Sequence, residues 1–176
     1  ISMLPAGGLG WPVKEVKGTE NTILEEYDAN NHKAIDIDAG AEEGAAYGSP
    51  AISVFNGTVV GVCPMNKAKG ISGKILIQSE NGCYIAVYEG MYSITVSEGQ
   101  KVTKGQELGL VGTPLSDVNK NCTSQADVYL HFRVAFDITG TFSEVSGESI
   151  AERLWYTLVN AGVSEYAAAG VLGNVE

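Results

Sequence analysis

Between residues 32 and 138 the chain is cut into short apolar runs by Asn-Gly and Gly-containing turns, and this punctuation leaves little choice but an antiparallel β fold. Ile35-Asp36-Ile37-Asp38 alternates apolar and acidic residues. Ala51 to Phe55 leads into Asn56-Gly57, a two-residue turn signal, and Thr58 to Val62 is predicted to run back as its hairpin partner. Lys74 to Gln78 and Cys83 to Tyr88 flank Asn81-Gly82, a second predicted hairpin. Val96 to Val102 and Glu107 to Val111 bracket a turn at Thr103-Lys104-Gly105-Gln106, and Val128 to Phe136 forms the last predicted strand. The 22 glycines favour such a turn-rich β architecture, a sandwich or barrel-like sheet, over a helical bundle. Residues 1–31 read as an irregular segment wrapping the β domain, because Pro5, Gly7, Gly8, Gly10 and Pro12 interrupt any regular element. Residues 32–146 read as the β domain and 147–176 as a short helical segment. There Ser149-Ile150-Ala151-Glu152 resembles a capping box, and Ile150, Leu154, Trp155 and Leu158 follow at helical spacing.

Composition narrows function. A formal charge of −10, with Arg133 and Arg153 the only arginines, argues against nucleic acid and against an anionic membrane surface. No apolar run approaches the ~20 residues that span a bilayer, so membrane insertion is not expected. No signal peptide is visible, and a chain opening at Ile1 reads as a piece of something longer. The three cysteines include no Cys-x-x-Cys pair, which is poor support for a thiolate zinc site. One disulfide, Cys63 with Cys122, both assigned to long loops, is one reading; three unpaired thiols is the other.

The two histidines lie in His32-Lys33-Ala34-Ile35-Asp36 and Tyr129-Leu130-His131-Phe132. Around them, in order, come Asn56-Gly57-Thr58-Val59, the Gly-Gln turns of Val96 to Gly112, and Leu130-His131-Phe132. This ordered set resembles the lysostaphin-like zinc endopeptidases of the M23 type, which cut peptide bridges in bacterial cell walls. The resemblance covers roughly residues 10 to 138. It implies a two-layer antiparallel β fold of the duplicated hybrid motif type, a narrow groove over a metal, and His32, Asp36 and His131 as ligands to one zinc. Strand geometry agrees, since residues four apart share a face and His32 and Asp36 then converge on an ion that His131 reaches from another strand. Three protein ligands leave a tetrahedral position for water, whose pKa zinc lowers to about 7.

The family uses two further histidines, and here those positions are Gly90 and Tyr129. Glu89, next to Gly90, is predicted to point to the opposite face. A phenol with an ordinary pKa near 10 is a poor base at neutral pH, although Tyr129 would serve as an oxyanion donor. The expectation is therefore a peptidoglycan metallopeptidase-type domain, extracellular, wall-associated or carried on a phage or conjugative-element particle, which keeps its metal but is weakened or inactive. The alternative is a non-catalytic module that binds peptidoglycan peptide or positions a larger wall hydrolase. A phosphocarrier-like domain is a third reading, disfavoured by Asp36 at the ligand offset. Ala151 to Trp155 and Ala167 to Glu176 are similar to the opening of phage-tail-type lysozyme domains, which implies a lysozyme-like neighbour in the parent protein and places Glu176 near that family's catalytic glutamate.

Three other groups carry two readings each. Asp38 is either an outer carboxylate orienting a ligand or, preferentially, a polar strand residue. The acidic residues Glu20, Glu25, Glu26 and Asp28 either line the groove entrance or, preferentially, form a solvated segment. Tyr84, Tyr88 and Tyr92 read as a ligand platform or, preferentially, as the half-buried face of a sheet.

Overall fold

The structure, a computed structural model, describes residues 5, 7–15, 23–41, 45–114 and 128–136. Among these residues there are nine strands: β1 (Ile23–Glu25), β2 (Ile35–Asp38), β3 (Tyr47–Ile52), β4 (Gly57–Cys63), β5 (Gly73–Ser79), β6 (Tyr84–Ile94), β7 (Lys101–Val102), β8 (Glu107–Gly112) and β9 (Tyr129–Phe136). They hydrogen-bond in the order β1-β2-β9-β6-β5-β4-β7, and β8 leaves this path to pair with both β6 and β3. Every strand pairing is antiparallel. The mainly β antiparallel architecture expected from the short apolar runs and their Gly-containing turns is thus the one that forms. The predicted C-terminal helical segment, Cys122 and Glu176 lie outside the described residues.

The 11-residue strand β6 organises the sheet. Its first half lies between β5 and β9, while Met91 to Ile94 pairs with β8. Strand β5 alternates buried and half-buried residues without a break, as a strand with one face on a core must. Ile75, Ile77, Ala86, Tyr88 and Leu130 fill the inner face, and Ala51, Leu108 and Val111 from the β3–β8 branch belong to the same buried cluster. Tyr88 ties these parts together. Its buried hydroxyl accepts from the Val54 amide at 3.0 Å and donates to the Ile52 carbonyl at 3.1 Å. Burial holds this phenol neutral by pushing its pKa well up.

The two Asn-Gly signals have different outcomes. Asn81-Gly82 makes the β5–β6 hairpin, with Gly82 at φ 71° and its amide bonded to the Ser79 carbonyl. Asn56-Gly57 does not make a hairpin, because β3 pairs with β8 whereas β4 pairs with β5 and β7. Gly57 is needed there for closeness: a Cβ on it would lie 2.2 Å from the Gln78 carbonyl oxygen. The Gly-Gln turns repeat one device. Gln100 and Gln106 each accept, through Oε1, the amide three residues earlier at 3.1 Å, with Gly99 and Gly105 at φ 84° and 83°. The segment expected to be irregular supplies β1, and Val13 buries its side chain in the core beside Ala51.

Candidate metal centre

Asp36 on β2 sits directly opposite His131 on β9. Directly paired residues share a face of the sheet, so the register alone brings the carboxylate to the imidazole. His131 Nδ1 donates to Asp36 Oδ1 at 2.6 Å. His32 completes the group from a different kind of element than strand spacing predicts. It lies in the turn 28–32 that precedes β2, where the Asp28 and His32 backbones form a bridge. The Asp28 carboxylate builds that turn by accepting the Asn30 amide at 2.8 Å and the Asn31 side-chain amide at 3.0 Å. These bonds, the Asn30 amide first, hold its pKa below the usual carboxylate value.

The turn aims His32 inward. Its Nδ1 donates to the Glu26 carbonyl at 3.1 Å, which leaves Nε2 as the free lone pair facing the cluster. Nε2 lies 3.3 Å from Asp36 Oδ1 and 3.4 Å from His131 Nδ1. The bond to the Glu26 carbonyl is the main cause raising the His32 pKa, assisted by the Asp36 and Glu25 carboxylates against partial desolvation. All three candidate ligand atoms lie within 4.8 Å of one another. A tetrahedral ion with bonds of ~2.0–2.1 Å separates its ligand atoms by about 3.3 Å. The two distances from His32 match that edge. The donor set therefore suits a zinc-sized ion, and the short His131–Asp36 bond is the only edge that must open to admit one.

The pairing continues beyond the cluster. Glu25 faces Asp36, His131 faces Glu89, and Glu89 faces Lys74. One row of ionisable side chains thus crosses β1, β2, β9, β6 and β5 on a single face. Glu89 accordingly points into the site and not away from it. Strand alternation misplaces the cluster face because β6 carries an extra residue here: Lys74 faces Glu89 while the adjacent Gly73 faces Met91. Gly90 is that extra residue, at φ 92°. A Cβ on Gly90 would stand 2.6 Å from the Tyr129 carbonyl oxygen. Tyr129 is 40% exposed and lies on the same face as His131, two residues away. Lys74, Glu89, Gly90, Tyr129 and His131 line one cleft of about 480 Å³, and Lys74 Nζ bonds Glu89 Oε1 at 2.6 Å.

Several other sequence expectations resolve locally. Asp38 spends a carboxylate oxygen on the Gly40 amide at 2.8 Å, a turn contact rather than a contact to a ligand. Of the acidic segment, Glu25 lies 3.7 Å from His32 Nδ1, the Glu26 carbonyl orients that ring, and Glu20 is outside the described residues. Tyr84, Tyr88 and Tyr92 do not form a platform: Tyr88 is in the core, and Tyr92 packs instead on Tyr47 at 5.3 Å between ring centroids. Cys63 is the exposed last residue of β4 rather than a loop residue and is unpaired among the described residues, while its suggested partner Cys122 lies outside them. Lys74 and the carboxylate of Glu89 are the site groups that sequence reasoning missed. Their only signal is the cross-strand register.

No curated protein matches the chain. Among solved structures, a Pseudomonas aeruginosa protein assigned to peptidase M23 is similar in fold, at 18% identity and a TM-score of 0.52, over 77% of this chain and 48% of that one. The chain therefore spans about half the length of that protein. The catalytic domain of lysostaphin from Staphylococcus simulans also matches, at 18% identity and a TM-score of 0.44, over 72% of this chain and 78% of that one. A zinc-containing peptidase from Vibrio cholerae matches at 21% identity and a TM-score of 0.44, over 72% of this chain and 36% of that one. The family model for peptidase family M23 matches residues 30–141, a stretch that holds His32, Asp36, His131 and most of the described sheet; the chain belongs to peptidase family M23.

Proposed function

We propose that this is a peptidoglycan metallopeptidase-type domain which holds one zinc ion through His32, Asp36 and His131 and has lost much of its hydrolytic power. The observation that carries the reading is the convergence of three ligand atoms within 4.8 Å, with the His32 ring already turned by the Glu26 carbonyl. A bound zinc would supply an acidified water and a Lewis acid for a peptide carbonyl. This chain's own residues supply less. A general base or oxyanion donor typically contributes ~10²- to 10⁴-fold each. Gly90 offers no side chain, and Tyr129 offers a hydroxyl that donates to an oxyanion. The cleft of about 480 Å³ beside His131 is where this reading seats the peptide. Membership of the family supports the wall peptide as substrate and an extracellular or wall-associated setting.

A non-catalytic module that binds wall peptide is the second reading, and one observation favours it. Gly90 adopts φ 92° with no room for a Cβ, so this backbone is shaped for a residue without a side chain. Metal analysis of protein purified without chelator tests the zinc site: about one zinc per chain is expected, with loss on His131→Ala. An empty wild-type site would sink the metal reading. Hydrolysis of purified cell wall, followed by release of new amino groups, then separates a weak enzyme from a binding module.

A further inference from the structure

Beyond the metal cluster, the cleft is lined by a lysine, Lys74, that the proposed chemistry does not use. Lys67, Lys69 and Lys74 fall within eight residues of a chain that has 11 cationic side chains and a net charge of −10. Of the three, Lys74 at the start of β5 lines the cleft with Ile71, Ser72 and Gly73, whereas Lys67, in the short 3-10 helix Lys67–Lys69, reaches the Tyr92 hydroxyl at 3.4 Å. At the other end of the cross-strand row stands Glu25, beside Asp36 and His32. The row is therefore acidic at its β1 end and closes on the Glu89–Lys74 ion pair at its β5 end.

The Lys74–Glu89 pair sets this end. Glu89 holds the ammonium at 2.6 Å and uses one of its three N–H donors. The Lys74 side chain is 39% exposed and lines the cleft, so further donors face the space a ligand would occupy. Strands lie ~4.8 Å apart, and Lys74 is two strands from His131, or roughly 10 Å. An extended peptide covers that distance in about three residues at ~3.3 Å each.

We infer that Lys74 is a specificity residue which binds a carboxylate of the peptide about three residues from the metal cluster, so that peptides enter in one direction with an anionic group toward β5. The inference rests on the peptide-binding reading above, not on catalysis. Glu89 is a positioning residue that keeps the ammonium over the cleft floor.

Binding of two probes tests it: tetra-alanine with a free C-terminal carboxylate, and the same peptide as its C-terminal amide. Amide chemical shifts of isotope-labelled protein give both dissociation constants, for zinc-loaded and for chelator-treated protein. The free acid should bind roughly two- to fivefold tighter than the amide, as one exposed ion pair allows, with shifts centred on Gly73, Lys74 and Glu89. The preference should persist after chelation, vanish in Lys74→Gln and survive in Lys74→Arg. Lys74 is at the surface, and an unchanged amide spectrum elsewhere confirms that either variant is folded. A preference that needs zinc and survives Lys74→Gln would mean that the metal takes the carboxylate; it would overturn the inference and leave the zinc reading standing. Equal affinities, or no shift of the cleft amides with either peptide, would overturn it as well.

Discussion

At the scale of single residues, the centre depends on atoms that no side-chain motif specifies. His32 is a useful donor because a backbone carbonyl, that of Glu26, fixes which ring nitrogen is free. Gly90 is the sharper case. Placing any Cβ there requires both a left-handed backbone and relief of a 2.6 Å approach to the Tyr129 carbonyl. Gly90→Ala is expected to destabilise the domain by about 1–3 kcal/mol, read from the urea midpoint at unchanged slope. Tyr129→His, at a position 40% exposed, should cost far less. A double replacement by histidine is thus expected to fold poorly unless the bulge rearranges, and a normally stable Gly90→Ala would show that the bulge yields easily. Tyr88→Phe removes the partner of two backbone groups, the buried Val54 N–H and the half-buried Ile52 C=O. A loss of roughly 1–3 kcal/mol in the same assay is expected.

At the scale of elements, legibility follows how local each signal is. Short apolar runs in residues 74–78 and 84–88 mark strands, and Asn81-Gly82 marks their hairpin, because turn type and register are set within a few residues of each other. Asn56-Gly57 carried the same dipeptide yet joins strands that never pair, since the neighbours of β3 and β4 are chosen by burial of distant residues such as Leu108 and Ile77. His32, Asp36 and His131 were readable as a set from motif order, but the strand invoked to align His32 with Asp36 turned out to be a turn anchored by Asp28. Glu89 was misassigned for a purely geometrical reason: counting by twos fails across a bulge, and the bulge shows itself only when β6 is paired with β5. Lys74 lacked even that clue, because its neighbour in space is 15 positions away in sequence. Removing the Asp28 carboxylate by Asp28→Ala should loosen turn 28–32 and weaken zinc binding about tenfold or more without altering the strand content, measured by competition with a chromogenic chelator. Unchanged zinc affinity would show that the turn holds its shape without this side chain.

At the scale of the whole molecule, pH acts on the cluster with opposite signs in its two states. The folded His32 has a pKa above the ordinary 6.5. In metal-free protein the stabilisation from its raised pKa is complete below that ordinary value and fades as pH rises through the folded one. Zinc demands the neutral ring, so affinity for the ion should fall as pH drops through the same raised value, earlier than for an unperturbed imidazole. Thermal unfolding at matched pH, with and without zinc, is expected to give curves that diverge as pH rises from 6 to 8; parallel curves would contradict metal binding through His32. Asp28 works in the other direction: its lowered pKa adds stability above the unfolded value of 3.8 that disappears as pH falls through the folded one. The turn that carries His32 has a further consequence. It joins the sheet through the three-residue β1 and through β2, whereas His131 belongs to a strand paired on both sides. An ion gripped by both would act as a clasp across 99 positions of sequence, so that occupancy of the centre and protection of the backbone around residue 30 from proteases become one equilibrium rather than two.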